Sequence, residues 1–174
     1  CTFVQTDPEQ YNVWTYSVHE ANFIDCVFNC AGKSVLMYNE ANDLVQNVSF
    51  DGCTFNASAP CNGKAAIELG TSQLTTGVYT VTIDDTTVNG FANGSVSGNP
   101  LWNVKNGNRG TVVVDGQTLC LAGAELVGEG LWKSGSKYSV INAEGLALIN
   151  SKMVSRTAGV GITIELLSDI DFTG

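Results

Sequence analysis

The sequence contains few charged residues and very few basic ones. Lysine and arginine number 8 against 17 acidic residues, charged residues make up 14% of the 174 positions, and the formal net charge is −9. Nucleic acids and anionic membrane surfaces are bound mainly through lysine and arginine, so neither is expected as a partner. The chain also lacks any run of about 18 apolar residues, and we expect no membrane insertion.

Cysteine and proline are sparse enough to exclude further classes of protein. Six cysteines and three prolines beside 19 glycines indicate an ordered, turn-rich chain rather than a disulfide scaffold. No two cysteines are spaced as Cys-x-x-Cys, so zinc and thiol redox motifs are not predicted. His19 is the single histidine of the sequence. A solvated loop is a better prediction for it than a metal site.

A repeated unit is the main positive feature of the sequence. An apolar residue, an aspartate at a turn, a small residue and a second apolar residue recur at 24–28, 50–55, 83–88 and 114–119. The aspartates are Asp25, Asp51, Asp84 and Asp115, separated by 26, 33 and 31 residues. Cys1-Thr2-Phe3 matches the second half of one more unit. Recurrence of this kind is typical of solenoids, in which stacked coils bury a shared core.

Each period also holds two further short apolar runs between turn-forming residues, which predicts three strands per coil. Alternation along a strand assigns the faces. In the first run we expect Cys26, Phe28, Cys53, Phe55, Thr86 and Val88 inside, and in the third Ile24, Phe50, Ile83 and Val114. In the second run the predicted inward residues are Trp14, Tyr16, Leu36, Tyr38, Ile67, Leu69, Trp102 and Val104. The predicted outward residues are Thr15, Met37, Glu68 and Asn103. This assignment favours core packing over sugar stacking for the aromatic residues.

The character of the sequence changes near residue 121. Residues 121–137 are rich in glycine and alanine and contain no further unit. Asn142 is the predicted N-cap of a helix over 143–154, and 162–167 is predicted to be the last strand. The apolar residues at helical spacing are Leu146, Ile149 and Met153. We expect this helix to cap an end of the solenoid, because bare sheet edges promote aggregation.

These units carry a resemblance to known proteins. Phe-Ile-Asp-Cys-Val-Phe at 23–28 and Phe-Asp-Gly-Cys-Thr-Phe at 50–55 resemble units of the pectate-lyase-like superfamily. Residues 138–146 and 162–174 resemble the opening of β-helix domains in large surface proteins of gut bacteria. The resemblance implies an all-β, right-handed parallel β-helix over 1–120. Residues 121–174 would then be a linker, a helix and a terminal strand, which either cap this β-helix or begin another. It also implies that the chain is part of a longer polypeptide.

The aspartates have two interpretations. They form either a column of carboxylates that binds Ca²⁺ or performs acid–base chemistry, or a series of Asx-turns at the corners of the coils. Their position directly before glycine or aspartate favours turns. Resemblance to polysaccharide-cleaving β-helix enzymes implies an acidic cluster on one sheet, and the candidate catalytic residues would then be Asp84, Asp85 and Arg109. No cluster of acid and base repeats in the sequence, so an enzyme is the less favoured alternative.

Other candidates are individual residues. Weak candidates for ligand binding are Glu68, Asn103, Lys105 and Trp132. Cys30 and Cys61 follow equivalent strands of adjacent coils, and a spacing of about 4.8 Å between coils is compatible with a disulfide between them. No cofactor is predicted beyond the Ca²⁺ alternative.

The sequence therefore predicts a non-catalytic module of a secreted or cell-surface protein. It would be adhesin-like, glycan-binding or structural, with a glycan or a host surface protein as its partner. The alternative is a fragment of a polysaccharide lyase or glycoside hydrolase, an expectation that depends on analogy of fold alone.

Overall fold

The computed structural model describes residues 1–38, 45–70, 78–104, 109–153 and 161–170. These residues form an all-β structure with a β-solenoid of about five turns and a single helix. The chain divides into two compact units, Cys1–Ala122 and Gly123–Gly174. The predicted fold class is confirmed.

The first unit holds thirteen strands among the described residues. They are β1 (Thr2–Gln5), β2 (Val13–Tyr16), β3 (Glu20–Ile24), β4 (Val27–Cys30), β5 (Val35–Tyr38), β6 (Val45–Asp51), β7 (Thr54–Ala57), β8 (Ile67–Leu69), β9 (Val78–Asp84), β10 (Thr87–Asn89), β11 (Trp102–Val104), β12 (Gly110–Val114) and β13 (Gln117–Cys120). They build sheet A (β1-β4-β7-β10), sheet B (β2-β5-β8-β11) and sheet C (β3-β6-β9-β12-β13). Successive strands enter sheets A, B and C in turn, and β1 to β12 pair in parallel within their sheets. The prediction of three strands per coil is confirmed.

Stacked phenylalanines form the centre of the solenoid core. Phe3, Phe28 and Phe55 lie in register on sheet A, with ring centroids 4.8 and 4.6 Å apart. Phe23 stacks on Phe50 of sheet C at 5.0 Å and meets Phe28 edge-on. The predicted half-unit at Cys1-Thr2-Phe3 is confirmed by this register.

Each corner between sheets C and A has the same construction. The residue at the bend has a left-handed backbone. The side chain of the residue after the bend donates a hydrogen bond to the backbone carbonyl of the residue before the bend. The bend residues are Asp25 (φ 50°), Gly52 (φ 60°) and Asp85 (φ 46°). The donor–acceptor pairs are Cys26–Ile24, Cys53–Asp51 and Thr86–Asp84, at 3.2, 3.5 and 2.9 Å. Aspartate and glycine suit this conformation better than most residues. Among the repeated aspartates at these three corners only Asp25 is at the bend; Asp51 and Asp84 lie one residue before it, so Asp25 is out of register with them and the predicted column of aspartates is wrong at this position.

The fourth predicted unit, at 114–119, has a different structure. Asp115 (φ 47°) and Gly116 (φ 77°) form a two-residue hairpin, and Val114 pairs with Gln117. β13 therefore runs antiparallel to β12 instead of continuing into sheet A. An Asp-Gly pair with two positive φ angles is the favoured sequence for this kind of turn.

Predicted face assignments are wrong in both sheet C and sheet B; Met37 of sheet B, for example, was predicted to point outward and is fully buried. In sheet C, Phe23 lies in register with Phe50, whereas Ile24 lies beside Asp51 and is 62% exposed. In sheet B, Leu36 lies beside Glu68 rather than Ile67, so the predicted columns are displaced by one residue between β5 and β8. A shift of one residue exchanges the two faces of a strand.

The second unit is a sheet with one helix. Its described elements are β14 (Glu125–Gly128), β15 (Leu131–Ser134), β16 (Lys137–Val140), α1 (Ala143–Lys152) and β17 (Thr163–Leu166). Leu131, Val140 and Ile149 form its core. Asn142 accepts a hydrogen bond from the Gly145 amide at 2.9 Å, which confirms the predicted N-cap. β14, β15 and the start of β16 were missed by the interpretation of 121–137. No helix in the described part of the chain is long and apolar enough to cross a membrane.

Candidate functional site

Four aromatic side chains lie together on the outer side of sheet B, and we call them the aromatic cluster: Tyr11, Trp14, Tyr16 and Tyr38. Trp14 is 55% exposed and Tyr16 is 48% exposed. Tyr16 stacks on Tyr38 with centroids 5.2 Å apart, and Trp14 lies 6.0 Å from Tyr38. Tyr11 meets Trp14 edge-on at 6.4 Å. The cluster therefore joins β2, β5 and the segment before β2 into one exposed aromatic surface.

This placement corrects the prediction that Trp14, Tyr16 and Tyr38 pack in the core. Thr15, which was predicted to point outward, is 3% exposed and donates its hydroxyl to the buried side chain of Gln46 at 2.9 Å. Because neighbouring residues of a strand point to opposite faces, an inward Thr15 puts Trp14 and Tyr16 outside. Trp102 is 7% exposed, so for that residue the core prediction is confirmed.

Two lysines lie beside one end of the aromatic cluster. The Lys33 ammonium lies 6.0 Å from the centroid of the Tyr11 ring and donates to the Glu9 carboxylate at 3.0 Å. Lys64 lies close enough to Tyr11 for each group to shift the pKa of the other. Sequence reasoning assigned these lysines no role, although both follow a glycine at the start of the second run, at 32–33 and 63–64. This recurrence is the signal that could have identified them.

The pKa directions at this end of the cluster are opposite to those a catalytic base requires. Burial raises the pKa of Tyr11, and Lys64 opposes that rise only in part. Burial lowers the pKa of Lys64, but Tyr11 and Glu68 outweigh it, so the pKa of Lys64 ends above its ordinary value. A general base near neutral pH needs a lowered lysine or tyrosine pKa. Both groups therefore keep their protons and are suited to donating hydrogen bonds.

Glu68 and Asn103 were predicted to be outward binding residues, and both are fully buried. They do lie on the outer face of sheet B, in register with each other, but loop segments cover them. Glu68 accepts hydrogen bonds from the Ala65 amide at 2.8 Å and from the Asn103 side chain at 3.0 Å. The Asn103 carbonyl oxygen in turn accepts from the amides of Val96 and Ser97. This pair holds two loops against the sheet, and one of them carries Lys64.

Replacement of Glu68 by alanine is expected to lower the free energy of unfolding by about 3 kcal/mol, because buried donors lose their acceptor and Lys64 loses a nearby charge. Urea denaturation measures this change. The matched control is Glu9→Ala. Glu9 is the ion-pair partner of Lys33, and the Glu9 side chain is 79% exposed. An exposed pair contributes at most about 1 kcal/mol. Equal losses in the two variants would contradict the role assigned to Glu68.

The three candidate catalytic residues do not converge. Asp84 ends β9 and Asp85 occupies the corner, where its amide donates to the Asp115 carboxylate at 3.1 Å. Arg109 directly precedes β12 and lies beside Val78, six residues before Asp84. At about 3.3 Å per residue this separation is roughly 20 Å. Lys105, another of the predicted binding candidates, lies outside the described residues.

The remaining predicted residues are Trp132 and the cysteine pair Cys30 and Cys61. Trp132, predicted as a candidate binding residue, is 4% exposed. It follows the core residue Leu131 on β15 and therefore points to the opposite face of the sheet. Cys30 and Cys61 are free thiols; Cys30 lies in register with Ala57. Burial raises the pKa of the Cys30 thiol, which reduces the thiolate fraction that disulfide formation needs. Their pairing stays a prediction.

Sheet C carries a second, mainly polar surface. A shallow depression of about 250 Å³ is lined by Glu20, Asn22, Asn47, Val48, Ser49, Thr80 and Thr82. Ser49 donates to Asn22 at 2.6 Å, and Asn22 donates to Glu20 at 3.2 Å. This surface contains no aromatic ring and no cation. Within the described ranges, no three histidine, cysteine or acidic side chains converge as metal ligands.

Successive coils of parallel strands and in-register phenylalanine stacks place the chain among β-solenoid proteins. Comparison with protein-family models, with curated proteins and with solved structures found no match. The resemblance to surface proteins of gut bacteria stays a prediction.

Proposed function

We propose that this chain is a non-catalytic module of a secreted or cell-surface protein and that it binds glycans through the aromatic cluster. The observation that carries the proposal is the exposure of Trp14 and Tyr16, at 55% and 48%, on a regular sheet surface. Large aromatic side chains normally lose most of their exposure on folding, and contiguous exposed apolar surface marks interaction sites. Aromatic rings stack on the apolar faces of sugars, while their polar atoms stay in water.

The polar groups around the cluster support a sugar ligand over a purely apolar one. Tyr11, Lys33 and Lys64 supply hydrogen-bond donors at one end of the aromatic surface. Ligand sites commonly combine an apolar lining with a few polar groups that fix orientation. Sugar hydroxyls can accept from these donors while the ring stacks on Trp14 or Tyr16.

The local charge supports a neutral glycan more than a strongly acidic one. Lys33 is paired with Glu9, and Lys64 lies near the buried carboxylate of Glu68. The chain as a whole has a net charge of −9, which disfavours the approach of polyanions.

The alternative of a polysaccharide lyase or glycoside hydrolase fragment has weaker support. A lyase needs a base, and a glycosidase needs two carboxylates facing each other across the scissile bond. Lys64 and Tyr11 have raised pKa values, and Arg109 lies roughly 20 Å along the sheet from Asp84.

A binding assay and a cleavage assay on the same purified sample distinguish these functions. The purified chain is applied to a glycan array and incubated with a panel of polysaccharides, with and without Ca²⁺. We expect retention on neutral glycans without any fall in polymer length. Depolymerisation would contradict the non-catalytic proposal and direct attention to Asp84, Asp85 and Arg109. A requirement for Ca²⁺ would revive the metal-binding interpretation of the aspartates. Absence of both binding and cleavage would leave a structural spacer as the remaining function.

A further inference from the structure

Gln46 is a fully buried amide whose side chain reaches the inner side of sheet B. It lies at the start of β6, where Gln46, Val48 and Phe50 point inward. The other inward residues of this strand are apolar, so a glutamine here requires a physical reason. Burial of an amide is costly unless its hydrogen bonds are made.

The amide of Gln46 uses every donor it has. Its oxygen accepts the Thr15 hydroxyl at 2.9 Å. Its nitrogen donates to the backbone carbonyls of Thr15 at 2.5 Å and Tyr38 at 2.7 Å. A buried polar group with all its hydrogen bonds made fixes the groups around it in one arrangement.

The two carbonyls that Gln46 binds belong to neighbouring strands of sheet B. Thr15 directly precedes Tyr16, and Tyr38 is the partner on which Tyr16 stacks at 5.2 Å. A single side chain on sheet C therefore ties together the backbone of both tyrosines, from the side opposite to their rings.

We propose that Gln46 is a positioning residue for the aromatic cluster: it sets the spacing and orientation of the Tyr16–Tyr38 pair. The inference depends on the proposed function where it concerns affinity, and it stands alone where it concerns the geometry of the pair. Without the Gln46 hydrogen bonds, the ends of β2 and β5 are held only by their backbone pairing, which includes the Ser17 amide donating to the Tyr38 carbonyl at 3.1 Å. The aromatic cluster is then less well preorganised.

The test compares Gln46→Leu and Gln46→Glu with the wild type and with Asn47→Asp. Leucine removes all three hydrogen bonds. Glutamate keeps the shape, but its charged form faces two carbonyl oxygens. Burial raises the pKa of such a carboxyl, and its protonated form regains one donor. Asn47 is exposed and points to the other face of the same strand. Asn47→Asp therefore adds the same charge without changing the three hydrogen bonds of Gln46.

Affinity for a glycan identified on the array is measured by calorimetry at about pH 7.5 and about pH 5. Gln46→Leu is expected to bind about tenfold more weakly at both values. Gln46→Glu is expected to be weak at the higher pH and to recover part of its affinity at the lower. The titratable residues beside Gln46 are Tyr79 on β9 and His19, which directly precedes β3. All variants keep both residues. Any change of affinity with pH that comes from them therefore also occurs in the wild type and in Gln46→Leu, and it is subtracted from the change seen in Gln46→Glu.

Near-ultraviolet circular dichroism tests the geometry without any ligand, because stacked tyrosines give a coupled signal. We expect Gln46→Leu to lose that signal while its far-ultraviolet spectrum is retained. An unchanged signal, or wild-type affinity in folded Gln46→Leu, would overturn the inference. If the wild type binds no glycan, the proposed function fails and the dichroism alone decides the role of Gln46. If Gln46→Leu does not fold, Thr15→Val removes one of the three hydrogen bonds and is read in the same way.

Discussion

Replacement of Trp14 by alanine is expected to weaken glycan binding by about thirtyfold or more, which corresponds to about 2 kcal/mol. Trp14 has the largest exposed fraction of the aromatic cluster, at 55%, and it contacts both Tyr11 and Tyr38. Its removal deletes a ring on which a sugar stacks and also loosens the rings on both sides. Calorimetric titration of the variant with a glycan identified on the array measures the loss.

The stability of this variant separates a binding role from a structural one. Since more than half of the Trp14 side chain is already in water, Trp14→Ala is expected to shift the free energy of unfolding by only about 1 kcal/mol. Trp14→Phe retains a smaller ring and is expected to bind with intermediate affinity. The matched control is Ile24→Ala, which removes an apolar side chain that is 62% exposed on sheet C. Equal loss of affinity in Ile24→Ala, or wild-type affinity in Trp14→Ala, would contradict the proposed site.

The fold could be predicted because its signals are local and repeated. An aspartate or glycine at each bend and a short donor side chain after it are requirements of one corner, and they recur in the sequence at 25–26, 52–53 and 85–86. The helix start was predicted because the Asn142 cap is also a local contact. The hairpin at 115–116 was misinterpreted since its Asp-Gly pair satisfies both the repeat and a type I′ turn.

The candidate site could not be predicted because it depends on contacts between distant residues. Every residue of β5 is apolar or aromatic, so the alternation of polar and apolar residues does not show which face of this strand is buried. In β2 the aromatic residues alternate with a threonine, which favours burial of the rings. The contact that reverses this assignment is the hydrogen bond between Thr15 and Gln46, 31 residues apart. Glu68 is buried for a similar reason, since its burial depends on Asn103, 35 residues later, and the loop that Asn103 binds.

Replacement of Phe28 by alanine is expected to lower the free energy of unfolding by about 3–5 kcal/mol. Phe28 has no exposed surface, and its ring is stacked between Phe3 and Phe55. It also meets Phe23 and Phe50 edge-on, at 5.6 and 6.0 Å. The truncation therefore leaves a cavity bordered by two coils above and below and by two sheets, where relaxation into the space is limited. Urea denaturation followed by far-ultraviolet circular dichroism measures the change.

A solenoid distributes its stability over contacts between neighbouring coils, so the position within the stack should matter. Phe3→Ala, on the strand at the edge of sheet A, removes a ring that stacks on Phe28 and meets Phe23 edge-on at 6.0 Å, whereas Phe28 is stacked on both sides. We expect it to cost less than half as much as Phe28→Ala. Phe28→Leu keeps most of the volume and is expected to cost less than about 1.5 kcal/mol. Equal losses for Phe3→Ala and Phe28→Ala would contradict the expected dependence on position within the stack. A loss below about 1 kcal/mol for Phe28→Ala would mean that the phenylalanine stack does not hold adjacent coils together.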